Sequence, residues 1–254
     1  MSEDVLDLAL RAAHGAGALL LERVGAPASG LTAKTSRTDL VSDADRDAEA
    51  LLVGMIRAAR PDDAIVAEEG GGGSGSSGVT WVVDPLDGTI NYLWGIPQWS
   101  VSVAARDAEG GLVGVVHDPS RGETFTARRG HGAFLDGAPL RIGPGAELSQ
   151  ALIGTGFQYR AEERALQAQR LLRVLPAVRD LRRLGSAALD LAWVACGRLD
   201  GYFESGLNPW DSAAGELLVR EAGGVVEETA PGSFVAAGPD LFGPLRDLVR
   251  DPAG

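Results

Sequence analysis

Apolar residues recur with helical spacing from Val5 to Val24, at Val5, Leu8, Ala9, Ala12, Ala16, Leu19 and Leu20. That spacing puts one apolar stripe on a helix. Ser42 precedes Asp43-Ala44-Asp45, and Glu49, Leu51, Leu52, Met55 and Ile56 carry a second helix, which Pro61 ends. The pattern then changes. Short apolar runs at Ala64 to Val66, Val79 to Val83, Ser100 to Ala104, Leu112 to Val116 and Thr124 to Ala127 read as strands. Their even spacing predicts an antiparallel or mixed sheet behind the two helices.

The second half alternates. Strands are predicted at Ala151 to Ile153, Leu181 to Leu184, Gly201 to Phe203, Val225-Val226 and Phe234 to Ala236. Helices are predicted at Glu162 to Leu175, Ser186 to Ala195, Asp211 to Ala222 and Leu241 to Val249. Successive layers of helices and sheets follow from such a pattern. We read one domain over residues 1–254, with an α+β half to about 145 and an α/β half from about 146, the seam falling at Gly143-Pro144-Gly145.

Gly70 to Gly78 resembles a flexible linker and is read as a mobile hairpin tip. It contains two formal G-x-G-x-x-G matches, but a dinucleotide fingerprint opens a helix after a strand, and here the strand-like run of Val79 to Val83 follows.

Length and composition narrow the class. The chain has 254 residues, 45% of them hydrophobic and 23% charged, which fits a globular chain with a substantial core. No apolar run approaches the ~20 residues of a membrane helix, and the acidic start at Met1-Ser2-Glu3-Asp4 is unlike a secretory signal. A cytoplasmic protein with no membrane partner is expected. The single cysteine, Cys196, sits in an apolar helical run and reads as a small buried hydrophobe. His14, His117 and His131 are too scattered for a zinc site. The net charge of −12 disfavours direct nucleic-acid binding. It also disfavours an anionic ligand, unless clustered acids hold divalent cations and invert the local sign.

The acids that matter stand beside turn signals, in Asp39 to Asp45, Glu68-Glu69, Asp84-Pro85-Leu86-Asp87-Gly88-Thr89 and Trp210-Asp211. Proline ends the run Trp81 to Val83, so the chain is expected to turn there. Two carboxylates three residues apart, backbone carbonyls between them and a glycine behind suit a hard cation such as magnesium. An Asx-type turn would use the same residues. Glu68 follows a strand end and is expected beside Asp84. Asp211 starts a helix, where it can cap the N-terminus or sit over a metal cluster.

These segments resemble the inositol monophosphatase family of magnesium-dependent, lithium-sensitive phosphatases. The likeness is carried by Glu68-Glu69, by Asp84 to Tyr92, by Trp210 to Gly215 with Glu221 to Gly224, and by Lys34 and Asp39 to Asp45. Arg183 to Leu191 resembles the bacterial members. The resemblance implies a layered α-β-α-β-α sandwich and two to three Mg2+ ions. It assigns Glu68, Asp84 and the Leu86 carbonyl to a first ion, Asp84, Asp87 and Asp211 to a second, and Glu68 with waters to a third. Thr89, oriented by Asp45, is implied to position and help deprotonate the attacking water. The N–H groups of Gly88 and Thr89 are implied to receive phosphate oxygens, and Gly185, Ala187 and Glu204, with Asp87, to face the polyol. Lys34 matches a lysine near the site loop. Animal members carry histidine at the place of Asn208, which alters the substrate rim.

The implied activity is hydrolysis of a small polyol phosphate, inositol 1-phosphate above all, by a homodimer. Fructose 1,6-bisphosphate, histidinol phosphate and a 3′-phosphorylated adenosine nucleotide remain open as substrates. So does a role as a transcription-associated binding factor, or a bland reading in which the acids only form turns and caps. Trp94 and Trp99 are read as core or dimer packing, and Arg160 to Arg173 as a solvated helix face.

Overall fold

The computed structural model describes residues 4–25, 32–33 and 40–250. In chain order it begins with α1 (Val5–Arg23), β1 (Thr32–Ala33), β2 (Leu40–Val41), α2 (Asp43–Ala59), β3 (Ala64–Ala67), β4 (Thr80–Asp87) and α3 (Thr89–Leu93). There follow β5 (Ser100–Asp107), β6 (Gly110–Asp118), β7 (Glu123–Arg128), β8 (Gly132–Leu135) and β9 (Ala138–Pro139). The remainder comprises β10 (Leu152–Thr155), α4 (Ala161–Val174), β11 (Asp180–Arg182), α5 (Ala187–Ala195), β12 (Gly201–Ser205), α6 (Pro209–Glu221), β13 (Val225–Ala230), β14 (Ser233–Ala237) and α7 (Pro239–Val249). Lys34 and Asp39 lie outside the described residues.

β3 to β9 form a seven-stranded sheet in chain order, and a five-stranded sheet runs β11-β10-β12-β14-β13. Helices α1 and α2 cover one face of the larger sheet, α5 and α6 lie between the two sheets, and α4 and α7 cover the outer face of the smaller one. This is the five-layer α-β-α-β-α sandwich. β4 shows how one run serves two cores. Trp81 and Val83 enter the layer under α1 and α2, while Val82 enters the layer under α5 and α6. That is the two-residue alternation of a strand buried on both faces. α5 is buried on nearly every side, as a helix that is apolar except for Asp190 requires between two sheets. α4 buries only Val174, in keeping with its charged sequence.

Two expectations are corrected. The glycine-rich segment is neither a linker nor a hairpin tip, because β3 and β4 pair in parallel, with Ala67 opposite Val83. A parallel pair cannot be closed by a tight hairpin. The segment instead runs back along β3, with Gly73 and Ile65 bridged antiparallel, before β4 begins. It is held down: Glu49 accepts the N–H groups of Glu69 (2.6 Å) and Gly71 (2.7 Å), and Arg57 donates to the Gly71 carbonyl (2.8 Å). A Cβ at Gly75 would stand 2.3 Å from Ala64 N and 2.5 Å from the Asp62 carbonyl oxygen. Gly75→Ala is therefore expected to cost about 1–3 kcal/mol, since backbone neighbours yield poorly. Thermal unfolding measures it, with Ser74→Ala as the near-neutral control.

The second correction concerns Pro85. The chain does not turn at Asp84; β4 continues to Asp87 through a bulge, with Asp84 opposite Ser102 and Asp87 opposite Ser100. Three steps along β4 thus match two along β5. Residues three apart on a regular strand point to opposite faces. The extra residue removes that offset and lets both aspartates point the same way.

Candidate active site

A cleft of about 740 Å³ opens at the C-terminal ends of β3, β4, β10 and β12. Glu68, Asp84, Leu86, Asp87, Gly88, Thr89, Gly185, Ala187, Glu204 and Asp211 all line it. Every site residue expected from the sequence is among them except Asp45, which stands directly behind Thr89.

Each acid arrives by its own local logic. The parallel register of β3 on β4 carries Glu68 opposite Asp84, close enough to share a hydrogen bond. Asp84 Oδ1 accepts the Leu86 N–H at 3.0 Å, which fixes the bulge. Asp87 Oδ2 accepts the Ser186 hydroxyl (2.6 Å) and the Ala188 N–H (2.8 Å), so it is pinned to the first turn of α5. Asp211 is not the N-cap of α6. Asn208 is, Pro209 opens the first turn, and Asp211 is the third helical residue, accepting the Asn208 N–H at 2.6 Å in a capping box. Capping and cluster membership are thus compatible: one oxygen caps while the carboxylate faces the cleft. Oxygens of Asp84, Asp87 and Asp211 all lie within 4.8 Å of one another.

Asp45 repeats this device on α2. Its Oδ2 accepts the Ser42 N–H (2.9 Å) and hydroxyl (2.5 Å), closing a capping box, which leaves Oδ1 to face the Thr89 hydroxyl at 3.1 Å. The same hydroxyl lies 3.1 Å from the Leu86 carbonyl oxygen. Its single proton can satisfy only one acceptor at a time. Gly88, ahead of Thr89, has φ +96°, and a Cβ there would meet the Gln98 carbonyl at 2.9 Å. Only glycine suits that position.

The electrostatics are those of a cage short of positive charge. Asp84 is pushed well above the usual carboxylate range, first by burial and then by Glu68, Asp87 and Asp211. Asp211 is raised by burial and by Asp87. Burial lifts Asp87 to about 6 although Ser186 and Ala188 oppose the rise, and lifts Glu204 to about 7 against the Tyr202 hydroxyl and Arg183. Buried carboxylates crowded together resist ionising together. A divalent cation reverses that balance, and an all-oxygen donor set of this kind fits magnesium.

A pH dependence follows. A carboxyl raised from 3.8 to about 6 on folding favours the folded state below about pH 4, and that contribution is lost as pH rises through about 6. Metal-free Asp87→Asn is therefore expected to gain thermal stability relative to wild type between about pH 4 and pH 7. Saturating Mg2+ is expected to remove the gain. Paired melting curves across that range, with and without magnesium, measure both.

Further residues complete the cleft, and of these the segment from Gly156 to Tyr159 went unmarked in the sequence reading. Glu69, Arg183, Asn208, Trp210 and the segment from Gly156 to Tyr159 form its walls. Arg182, by contrast, pairs with Asp180 at 2.6 Å on the surface. Trp99 is fully buried, whereas Trp94 is exposed.

A sequence profile described as the inositol monophosphatase family matches residues 1–245. The chain belongs to the inositol monophosphatase family. Its relatives include the Nus factor SuhB of Escherichia coli strain K12, 41% identical over 256 aligned positions that cover 97% of this chain and 96% of that one. Among solved structures, the extragenic suppressor protein suhB of Bartonella henselae superposes with a TM-score of 0.91 at 35% identity, covering 98% of this chain and 99% of the other. The inositol monophosphatase of Anabaena (Nostoc) gives a TM-score of 0.85 at 36% identity, with 96% and 94% covered. Family members of this likeness share the layered architecture from end to end. Among the described residues, no helix is long and apolar enough to cross a membrane.

Proposed function

We propose that this phosphoric monoester hydrolase cleaves the phosphate ester of a small polyol, inositol 1-phosphate first among them, with two to three Mg2+ ions. The observation that carries this reading is the convergence of Asp84, Asp87 and Asp211 within 4.8 Å, in one cleft with Thr89 and Glu204. Glu68, Asp84, the Leu86 carbonyl, Asp87 and Asp211 are the proposed metal ligands. Bound there, the ions would neutralise the ester's charge, acidify a water and stabilise the leaving alkoxide.

The chain's own groups do the positioning. With its proton turned to Asp45, the Thr89 hydroxyl offers a lone pair to the attacking water and holds it in line with phosphorus. The water oxygen forms the new P–O bond, the ester P–O bond breaks, and the departing alcohol takes up a proton. Gly88 and Thr89 are the proposed N–H donors to phosphate oxygens. Gly185, Ala187 and Glu204, with Asp87, form the polyol side, where a carboxylate accepts hydrogen bonds from hydroxyls.

The name Nus factor belongs to the Escherichia coli relative. In this chain the retained carboxylates and the Thr89–Asp45 pair support catalysis over a purely binding role. We further take the enzyme to be a cytoplasmic homodimer, for which exposed Trp94 and Ile96 offer apolar surface.

Phosphate release from inositol 1-phosphate, fructose 1,6-bisphosphate and histidinol phosphate, with and without magnesium, tests the reading. Magnesium-dependent turnover with the highest kcat/KM for inositol 1-phosphate is expected. Magnesium-independent release, or preference for another ester, would overturn it.

A further inference from the structure

Glu204 does not sit in open space. It is the penultimate residue of β12, which runs parallel to β10 with Gly154 opposite Tyr202. Past the last paired residues, Thr155 and Phe203, close contacts continue the same offset, with Gly156 beside Glu204 and Gln158 beside Gly206. At each of these levels one strand carries a glycine and the other a large side chain. A Cβ at Gly154 would stand 3.2 Å from the Tyr202 ring. A Cβ at Gly156 would stand 2.0 Å from both carboxylate oxygens of Glu204, inside their van der Waals envelope. At the third level the roles are exchanged. A Cβ at Gly206 would meet the Gln158 amide at 2.3 Å, and that amide donates to the Ser205 (2.8 Å) and Gly206 (3.1 Å) carbonyls.

The Glu204 carboxylate therefore lies flat on the backbone of Gly156, in a slot that any side chain at that position would fill. From below, the fully buried Tyr202 donates its hydroxyl to Glu204 Oε2 at 2.6 Å. Gly156 lacks positive φ among the described backbone, so its conformation does not call for glycine. The Glu204 carboxylate does.

We propose that Gly156 and Tyr202 are positioning residues for polyol specificity, which together hold the Glu204 carboxylate in the orientation that reads substrate hydroxyls. The slot fixes where the carboxylate lies, and the Tyr202 hydroxyl occupies one oxygen so that the other faces the cleft. A substrate with no hydroxyls gains nothing from this arrangement. The inference rests on the reading that Glu204 faces the polyol.

The test compares kcat/KM for inositol 1-phosphate with that for p-nitrophenyl phosphate, a hydroxyl-free ester, in magnesium-loaded wild type, Gly156→Ala, Tyr202→Phe, Glu204→Ala and the Gly156→Ala/Glu204→Ala double variant. Tyr202→Phe keeps the buried ring and removes only the hydroxyl, so it stands in if Gly156→Ala fails to fold. In both positioning variants the preference for inositol 1-phosphate is expected to fall about tenfold, mainly through KM, the size of one charge-assisted hydrogen bond. With Glu204 already truncated, Gly156→Ala is expected to change the preference no further. A general packing role would slow both esters alike and would persist in the double variant, which overturns the proposal. If Glu204→Ala shifts the preference while neither positioning variant does, the proposal fails alone. If Glu204→Ala leaves the preference unchanged, the polyol reading falls and takes the proposal with it.

Discussion

Replacing Asp84 by asparagine is expected to lower magnesium-dependent kcat/KM by about a thousandfold or more, equivalent to about 4 kcal/mol of lost transition-state stabilisation. Asp84 is the centre of the cluster, acted on by Glu68, Asp87 and Asp211 together. Its removal takes away the anionic donor that both proposed principal metal positions share. The fold is expected to survive, because the one bond Asp84 makes to its own strand is the Leu86 N–H to Oδ1, and an asparagine oxygen accepts the same bond. Without metal, the variant is expected to melt at or above the wild-type temperature, by up to about 2–4 °C, since a buried like-charge contact has gone. The pairing of lost turnover with undiminished stability separates a functional carboxylate from a turn former. An Asx-turn residue would show the reverse, with stability lost and activity kept.

Thr89→Ala is expected to reduce kcat by about a hundredfold to a thousandfold with a smaller change in KM. The hydroxyl stands 3.1 Å from Asp45 Oδ1, and Asp45 Oδ2 is already committed to the Ser42 N–H and hydroxyl. Thr89 is therefore the group through which the buried Asp45 can reach the cleft. Thr89→Ser restores the hydroxyl and is expected to recover most of the rate. The stability cost of the alanine is about 1 kcal/mol, one buried hydrogen bond, so folding losses cannot account for the fall. Steady-state kinetics on the three proteins at saturating magnesium measures the effect.

The sequence made the acidic Asp84 to Thr89 segment legible because its signal is local. Asp-Pro-x-Asp-Gly-Thr places two acids, a glycine and a hydroxyl within six residues, and their chemistry is readable without a partner strand. What stayed hidden was how the two acids come to share a face. That requires the bulge opposite Ser100 and Ser102, a property of the β4–β5 pairing. The glycine-rich segment was misread for a related reason. Its composition matches a flexible linker, but Gly72 packs against the β3 backbone at Ile65 and Gly75 against the backbone at the start of β3, from Asp62 to Ala64. Asp45 and Asp211 were visible as helix-start acids, and capping boxes are local patterns. Their second roles depend on which free oxygen meets Thr89 or Asp87 across long sequence separations. Gly156 carried no signal of its own. Its meaning appears only when β12 lies beside β10 and Glu204 fills the space that a side chain would take. α4 shows the opposite case, where a run of alternating charges was enough to predict a solvated helix.

Everything functional here depends on clustered acids binding divalent cations inside the cleft. Crystals grown with Mn2+ as a magnesium surrogate, with an anomalous difference map, address that directly. Strong peaks are expected, bounded by Asp84, Asp87 and Asp211 and by Glu68 and the Leu86 carbonyl. An empty cleft at saturating Mn2+, or peaks confined to other surfaces, would contradict cation binding by these acids.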